Sequence, residues 1–82
     1  MGPEIEALAA MARFQYEQRL KTTLEPERRG EFVAIEPASG DYFLGRTMSE
    51  ASARALASHP DRLHHILRIG YPVTVEIGSI AP

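Results

Sequence analysis

The residues best suited to chemistry lie close together in the second half of the chain: His59, Asp61, His64 and His65. Imidazole and carboxylate groups are zinc ligands, so a metal site is the first hypothesis to weigh. If residues 63–69 form a strand, however, His64 and His65 point to opposite faces and cannot bind the same ion. His59, Asp61 and one of the other two histidines remain as ligands. Three ligands at a junction of loop and strand indicate a metal site only weakly. We predict that the chain binds no metal and no cofactor.

Two short segments suggest other chemistry, but a turn and a helix cap explain them. Ser39-Gly40-Asp41 offers a serine, yet no Gly-x-Ser-x-Gly elbow surrounds it, and all three residues are common in turns. Gly45-Arg46-Thr47 precedes a helix whose free N–H groups could hold an anion, but it lacks the glycine spacing of a phosphate loop. No carboxylate pair stands in apolar surroundings. We therefore predict that the protein is not an enzyme.

Size and composition narrow the class of protein. The 82 residues suffice for one domain, and 44% are hydrophobic while 24% are charged, as in ordinary globular chains. A net charge of −2 argues against nucleic-acid and membrane partners, which attract clustered Lys and Arg. No apolar run reaches the roughly 20 residues of a membrane span, and Glu4 and Glu6 stand where a signal peptide is basic. The chain lacks cysteine, which fits a reducing compartment, and we expect a cytoplasmic protein.

Residues 1–25 are predicted to form an N-terminal amphipathic helix. Its apolar residues recur at spacings of three and four and so share one side of a helix: Ile5, Leu8, Ala12, Tyr16, Leu20 and Leu24. Because Pro26 disfavours helical geometry at Glu25, the helix is expected to end near Leu24.

The same helix carries a second apolar signal. Met11 and Phe14 fall well away from the main stripe at about 100° per residue. A helix that packs on one sheet uses only one apolar face. These two side chains therefore either stay exposed, as single apolar residues on a surface often do, or they contact another chain. With Tyr16, they are our candidate interaction residues, and the partner that we expect is a second copy in a homodimer.

Residues 31–78 are predicted to form a compact β-β-α-β-β core. The strands cover residues 31–36, 42–46, 63–69 and 73–77, and the last alternates apolar and polar residues. Thr47 and Glu50 form a capping box that opens the helix, which Pro60 ends. With the N-terminal helix in front, the fold class is α+β with a small, mostly antiparallel sheet, and the whole chain is one domain.

The first hairpin of this core is apolar on both sides. Phe32 and Ala34 point one way while Val33 and Ile35 point the other, which is typical of strands covered on both faces. We expect the second helix to cover one face, and the N-terminal helix or a partner to cover the other. Because the body of the second helix is rich in alanine, Met48 and Leu56 are its expected anchors.

Several segments together carry a family resemblance: Phe32-Val33-Ala34-Ile35-Glu36-Pro37, Ser39-Gly40-Asp41-Tyr42-Phe43-Leu44-Gly45, Thr47, Glu50-Ala51, His59-Pro60-Asp61-Arg62 and Arg68-Ile69-Gly70-Tyr71-Pro72. With this pattern the chain resembles a group of small bacterial proteins usually labelled as domains of unknown function. The resemblance covers roughly residues 31–77, about half of the chain. Relatives in that group are often encoded beside retropepsin-like or other small partner genes. The resemblance thus implies a fold and an antitoxin-like arrangement with a protein partner encoded nearby, and it carries no catalytic residues.

Two functions fit these observations. The first is a small non-catalytic protein-interaction or regulatory module that forms a homodimer or binds a protein partner. The second is a ligand- or nucleic-acid-binding regulator that uses Arg46, Arg54, Arg62 and Arg68. Geometry separates them, because the second function requires the four arginines to converge on one face.

Overall fold

The structure, a computed structural model, describes residues 3–71, with side chains from Ile5 onward. Its elements follow in chain order: α1 (Pro3–Gln15), a π-helical turn (Tyr16–Leu20), α2 (Lys21–Arg28), β1 (Phe32–Glu36), β2 (Asp41–Gly45), α3 (Met48–Ser58) and β3 (His65–Arg68). The fold is α+β, as predicted, with an N-terminal helix, an antiparallel sheet and a further helix. The fourth strand predicted at residues 73–77 lies outside the described residues, as does the end of the 31–78 core.

The N-terminal helix is continuous through the π-helical turn. Its buried residues, Ala12, Tyr16, Leu20 and Leu24, follow one another at intervals of four. In a regular α-helix each step of four residues rotates by about 40°, so this row would drift away from the sheet. The wider turn between Tyr16 and Leu20 takes up part of that rotation, because its hydrogen bonds join residues five apart. The π-helical turn thereby keeps the row on the sheet.

The predicted end of this helix near Leu24 is wrong. The helix continues to Arg28 with Pro26 inside it. Proline removes one hydrogen bond, but contacts of the two residues before it hold the last turn in place. Leu24 is buried in the core, and the Glu25 carboxylate accepts a hydrogen bond of 2.8 Å from the Tyr16 hydroxyl.

The sheet has three antiparallel strands in the order β2-β1-β3. Phe32 of β1 lies opposite Gly45 of β2 on one side and opposite Arg68 of β3 on the other. The three predicted strand regions that lie within the described residues are correct, although β2 begins one residue earlier than expected and β3 is shorter than residues 63–69. The central strand is buried on both faces, since Val33, Ala34 and Ile35 are inaccessible to solvent.

The two faces of the sheet form separate apolar cores. One core joins the N-terminal helix to the side of the sheet that carries Val33, Ile35, Leu67 and Ile69. The other packs Ala51 and Ala55 of α3 on Ala34, with Phe32, Phe43 and Ile66 around them. Both coverings match the expectation from the doubly apolar hairpin.

Helix α3 begins at the predicted cap but has different anchors. Thr47 accepts a hydrogen bond of 3.1 Å from the Glu50 amide, whereas the Glu50 carboxylate accepts one from the Arg46 amide rather than from Thr47. Met48 and Leu56, the predicted anchors, are 55% and 47% exposed among the described residues. That prediction was based on the size of the side chains and did not consider which residues face the sheet. The side of α3 that reaches the sheet carries alanines, so the helix lies too close for large side chains.

Candidate interaction site

The outer face of α1 carries the candidate interaction residues Met11 and Phe14. Their side chains are 48% and 64% exposed and belong to neither apolar core. Ala7 and Ala10, also exposed, share this side at helical spacing. We call these four residues the outer face. Within the described residues, it adds no side chain to either apolar core.

Tyr16, the third candidate residue, lies in the core instead. Its side chain is buried, and its hydroxyl links the last turns of the N-terminal helix to the turn after β3. That hydroxyl donates to the Glu25 carboxylate at 2.8 Å and accepts from the Gly70 amide at 3.2 Å. Burial and the neighbouring Glu25 carboxylate raise the pKa of Tyr16 to about 12, against a smaller lowering by the Gly70 amide. Tyr16 therefore stays protonated at neutral pH and holds the helix against the end of β3.

A groove of about 740 Å³ runs between the N-terminal helix and the end of β3. Phe14 stands at its rim, Leu67 and Gly70 lie across from the helix, and both Arg13 and Lys21 line it. Glu17 also lines the groove and pairs with Lys21 at 3.4 Å, whereas Arg13 makes no hydrogen bond or ion pair within the described residues. The groove thus combines apolar residues with charges of both signs, since Glu25 lines it as well, and within the described residues Arg13 is its unpaired cation.

Arg68 closes one end of this groove. Its guanidinium carbon lies 4.2 Å from the centre of the Tyr71 ring and 5.5 Å from that of Phe32. Its Nε donates to the Gly30 carbonyl at 3.1 Å. Such cation–π contacts favour a fixed position for the side chain and are worth about 0.5–1 kcal/mol at exposed sites. Arg68 thereby ties the end of β3 to Gly30, two residues ahead of β1.

The four arginines of the alternative function do not converge. Arg62 pairs with Glu36 at the end of β1, whereas Arg68 reaches Gly30 ahead of its start. Arg54 donates to the Leu44 carbonyl on β2 at 2.7 Å, and Arg46 directly follows that strand. A single site that uses all four arginines is therefore not formed, because Arg62 lies at the opposite end of β1 from the other three.

The histidines of the metal hypothesis have separate partners. His59 bonds to Asp41 at 2.8 Å, and its ring lies edge-on to Phe43 at a centroid distance of 6.0 Å. His64 bonds to the Ser52 hydroxyl at 2.9 Å. Among residues 3–71, no three His, Asp or Glu side chains are grouped so that they could hold a metal ion.

The other two candidate segments are held by local hydrogen bonds. Ser39 donates to the Glu36 carbonyl at 3.3 Å and accepts from the Asp41 amide at 3.1 Å, so its hydroxyl serves the turn. Ahead of α3, side chains already bind the amides of Arg46 and Glu50 that an anion would use. Both observations match the turn and the cap inferred from the sequence.

Glu36, at the end of β1, is a buried carboxylate that the sequence analysis did not single out. Its side chain is 2% exposed and accepts hydrogen bonds of 3.0 Å from the amides of Ala38 and Ser39. Arg62 adds an ion pair at 3.3 Å. Burial raises the pKa of Glu36, but hydrogen bonds from Ser39 and Ala38, together with the Arg62 charge, outweigh it and leave the pKa lowered. Glu36 therefore organises the β1–β2 turn as an anion.

Comparisons with known proteins add no relative to this picture. The family models, the curated proteins and the solved structures each gave no match to the chain. Within residues 3–71, no helix is both long and apolar enough to cross a membrane. The resemblance in residues 31–77 stays a prediction.

Proposed function

We propose that this protein is a non-catalytic interaction module that binds a second copy of itself through the outer face of α1. One observation supports this function above the others. Met11 and Phe14 are exposed on one helix face, although both cores of the described residues are complete without them. Exposed apolar side chains that adjoin one another are typical of contact surfaces, whereas single ones need no explanation.

The shape and charge of α1 favour an antiparallel pair of helices. Ala7 and Ala10 leave room for a second helix to approach closely beside Phe14. Glu4 and Glu6 precede the outer face, and the basic residues Arg19 and Lys21 follow it. Pairing across a two-fold axis places the acidic end of each helix near the basic end of the other, whereas parallel pairing places like charges together.

A domain of this size also gains stability when it associates with a second copy. A chain of 82 residues buries only about 60% of its unfolded surface on its own, and without cysteine it has no disulfide to add stability. Fully burying a Met or Phe side chain contributes roughly 1.5–3 kcal/mol. Four such side chains at one two-fold interface give a contact that is small but apolar at its centre.

Sedimentation equilibrium of the full chain at micromolar concentration tests this proposal. We expect a mass twice that of one chain for the unmodified protein. The double variant Met11→Glu with Phe14→Glu should sediment as a monomer, because four carboxylates would then face one another across the contact. Circular dichroism should show that it keeps its fold, since both side chains point away from the cores.

The matched control places the same two charges on the other exposed helix. Ala53→Glu with Ala57→Glu changes two exposed residues of α3, outside the proposed contact, and should leave the dimer intact. A monomeric unmodified protein would remove the homodimer from the proposal. Exposed Met11 and Phe14 would then be left for a different protein, as the two-protein arrangement implied by the family resemblance requires.

The finer predictions belong to the same proposal. These are the cytoplasmic location, the antitoxin-like role beside a partner encoded nearby, and residues 73–77 as the fourth strand of the β-β-α-β-β order.

A further inference from the structure

One flank of α1, next to the outer face, carries two charged side chains. Glu6 is exposed and Arg13 is partly exposed. They are seven residues apart, which is close to two full turns at about 100° per residue, so they share this flank. Ala10 of the outer face lies beside them, because it follows Glu6 by four residues and precedes Arg13 by three. A partner that covers the outer face therefore reaches both charges.

Neither of these two charges forms an ion pair within the described part of the chain. Glu17, four residues after Arg13, pairs instead with Lys21 at 3.4 Å. Glu25, another carboxylate of the groove, accepts a hydrogen bond of 2.8 Å from the Tyr16 hydroxyl. Both carboxylates are thus bound to other groups, and Arg13 keeps its charge for a contact outside the described residues.

Two-fold symmetry brings this flank against its own copy. When two antiparallel helices pair about a two-fold axis, the axis is perpendicular to the plane of the helices, so each flank meets the same flank of the other helix. When two helices pair in parallel, each flank meets the opposite one, which in α1 carries the uncharged Leu8 and Gln15. Of the two arrangements, antiparallel pairing alone places Arg13 against a carboxylate.

The spacing of the outer face agrees with this charge contact. When Phe14 packs on the small side chain of Ala7 of the second copy, the two-fold axis passes midway between these two positions of the helix. Arg13 and Glu6 of the second copy are then offset by only two residues, or about 3 Å along the helix. Two side chains as long as those of Arg and Glu span this offset. The apolar contact and two symmetric ion pairs therefore fit in one register.

We infer that Arg13 of each copy pairs with Glu6 of the other, so that α1 recognises a second copy of this chain by charge as well as by its apolar face. The pairing rests on the homodimer proposed above and gives that dimer an orientation and a register. The two ion pairs select the partner more than they add affinity, because exposed pairs contribute little energy whereas like charges in contact exclude a wrong partner.

Two charge-reversed variants of the full chain test the pairing. In Arg13→Glu both charges of the flank are acidic, and in Glu6→Arg both are basic, so each variant repels its own copy. Sedimentation equilibrium should give each variant a dissociation constant about tenfold higher than that of the unmodified protein. An equimolar mixture of the two variants should recover the unmodified affinity, because each acidic flank then faces a basic one. Native mass spectrometry distinguishes mixed dimers from like dimers by their mass.

The matched control reverses one charge outside α1. Asp61→Arg changes an exposed residue after α3 and should leave the dissociation constant unchanged. Circular dichroism of both test variants should match that of the unmodified protein, because neither residue belongs to an apolar core. Raising NaCl from about 0.1 M to about 1 M should remove most of the difference in affinity, since salt screens exposed charges.

The contrary outcomes separate this pairing from the homodimer itself. A dimeric unmodified protein whose affinity neither variant changes would overturn the pairing and leave the homodimer standing. Variants that dissociate but do not recover on mixing would also overturn the pairing, because the two charges would then act separately. A monomeric unmodified protein would overturn both the pairing and the homodimer.

Discussion

The two faces of the sheet are covered by helices in different ways. On the side of the N-terminal helix, large residues such as Tyr16, Leu20 and Leu24 meet Val33 and Ile35 and fill the space between the layers. On the side of α3, the contact is made by small residues, with Ala51 and Ala55 packed on Ala34. A Cβ atom added to Gly45 would overlap the backbone nitrogen of Ala51 and lie 2.9 Å from its Cα.

Because of this difference, opposite kinds of substitution are expected to destabilise the two faces. The N-terminal-helix face is stabilised by the volume that its side chains fill, so removing atoms should harm it most. The α3 face is stabilised by close approach, so adding atoms should harm it most. A substitution that is mild on one face is therefore expected to be severe on the other, and paired variants can measure this contrast.

The largest effect is expected from Ile35→Ala on the N-terminal-helix face. Ile35 is inaccessible to solvent and touches the row of large helix residues, so truncation leaves a cavity. Such substitutions cost about 2–5 kcal/mol, a large share of the stability of a small domain. The measurement is the free energy of unfolding in urea, at one protein concentration. Ile5→Ala, at a side chain that is 39% exposed, is the control and should cost clearly less. Equal losses at both positions would contradict a core on this face.

The next effect is expected from enlarging α3 where it touches the sheet. Ala55 is 1% exposed, and Ala55→Leu should cost about 1–3 kcal/mol because helix and sheet must move apart. Ala57→Leu makes the same change at an exposed position of the same helix, where both residues are good helix formers. The two urea midpoints should therefore differ, with Ala57→Leu close to the unmodified protein. If Ala55→Leu stabilises the protein instead, the helix does not lie close to the sheet.

The contrast between the faces also explains which features could be predicted from the sequence. The alternation of Phe32, Val33, Ala34 and Ile35 is a local pattern, and it correctly predicted a strand covered on both sides. The cap at Thr47 is equally local. By contrast, Met48 and Leu56 were chosen as anchors by size, although the distance between α3 and the sheet, a tertiary property, selects alanines.

Three further features of the structure were not predicted from the sequence. Pro26 stays within a helix because Tyr16 bonds to Glu25, nine residues away in sequence. The strict four-residue interval from Ala12 to Leu24 was a signal for the π-helical turn, since a regular helix would rotate that row off the sheet. Glu36 was missed because its partner Arg62 is 26 residues further along the chain.

A smaller effect is expected at the N-terminus of α3. Thr47→Ala removes the acceptor of the Glu50 amide, and the loss of such a cap costs about 1 kcal/mol. Since α3 is held by small side chains, its cap is a larger share of its stability than a cap on the N-terminal helix would be. Ser49→Ala, two residues further along in the first turn of α3, changes an exposed residue. It is the control and should change the urea midpoint little. Equal midpoints for Thr47→Ala and the unmodified protein would show that the cap contributes nothing.

The smallest effect at neutral pH is expected from Glu36, and it should grow only in acid. Glu36 belongs to the same side of β1 as Ala34, so this prediction gives the α3 face a stability that depends on pH in the acid range. Its pKa in the folded protein lies below the ordinary value of 4.5, because hydrogen bonds from Ser39 and Ala38 and the charge of Arg62 outweigh burial. The folded state therefore binds fewer protons than the unfolded state as the pH falls through this range. The resulting stability is complete above about pH 6 and is lost progressively toward the folded pKa.

The measurement is the free energy of unfolding in urea between about pH 6 and pH 3, for the unmodified protein and for Glu36→Gln. The variant should be less stable near pH 6, because glutamine cannot replace a carboxylate that accepts two amide hydrogen bonds and pairs with Arg62. Its stability should also fall less steeply with acid, so that the two curves approach each other at low pH. Glu27→Gln, an exposed carboxylate on α2, is the matched control and should keep the slope of the unmodified protein. The contrary outcome is that the two curves stay parallel across the range. The Glu36 carboxylate would then have the same proton affinity in the folded and the unfolded state. In that case the buried anion would not be what holds the β1–β2 turn to Arg62.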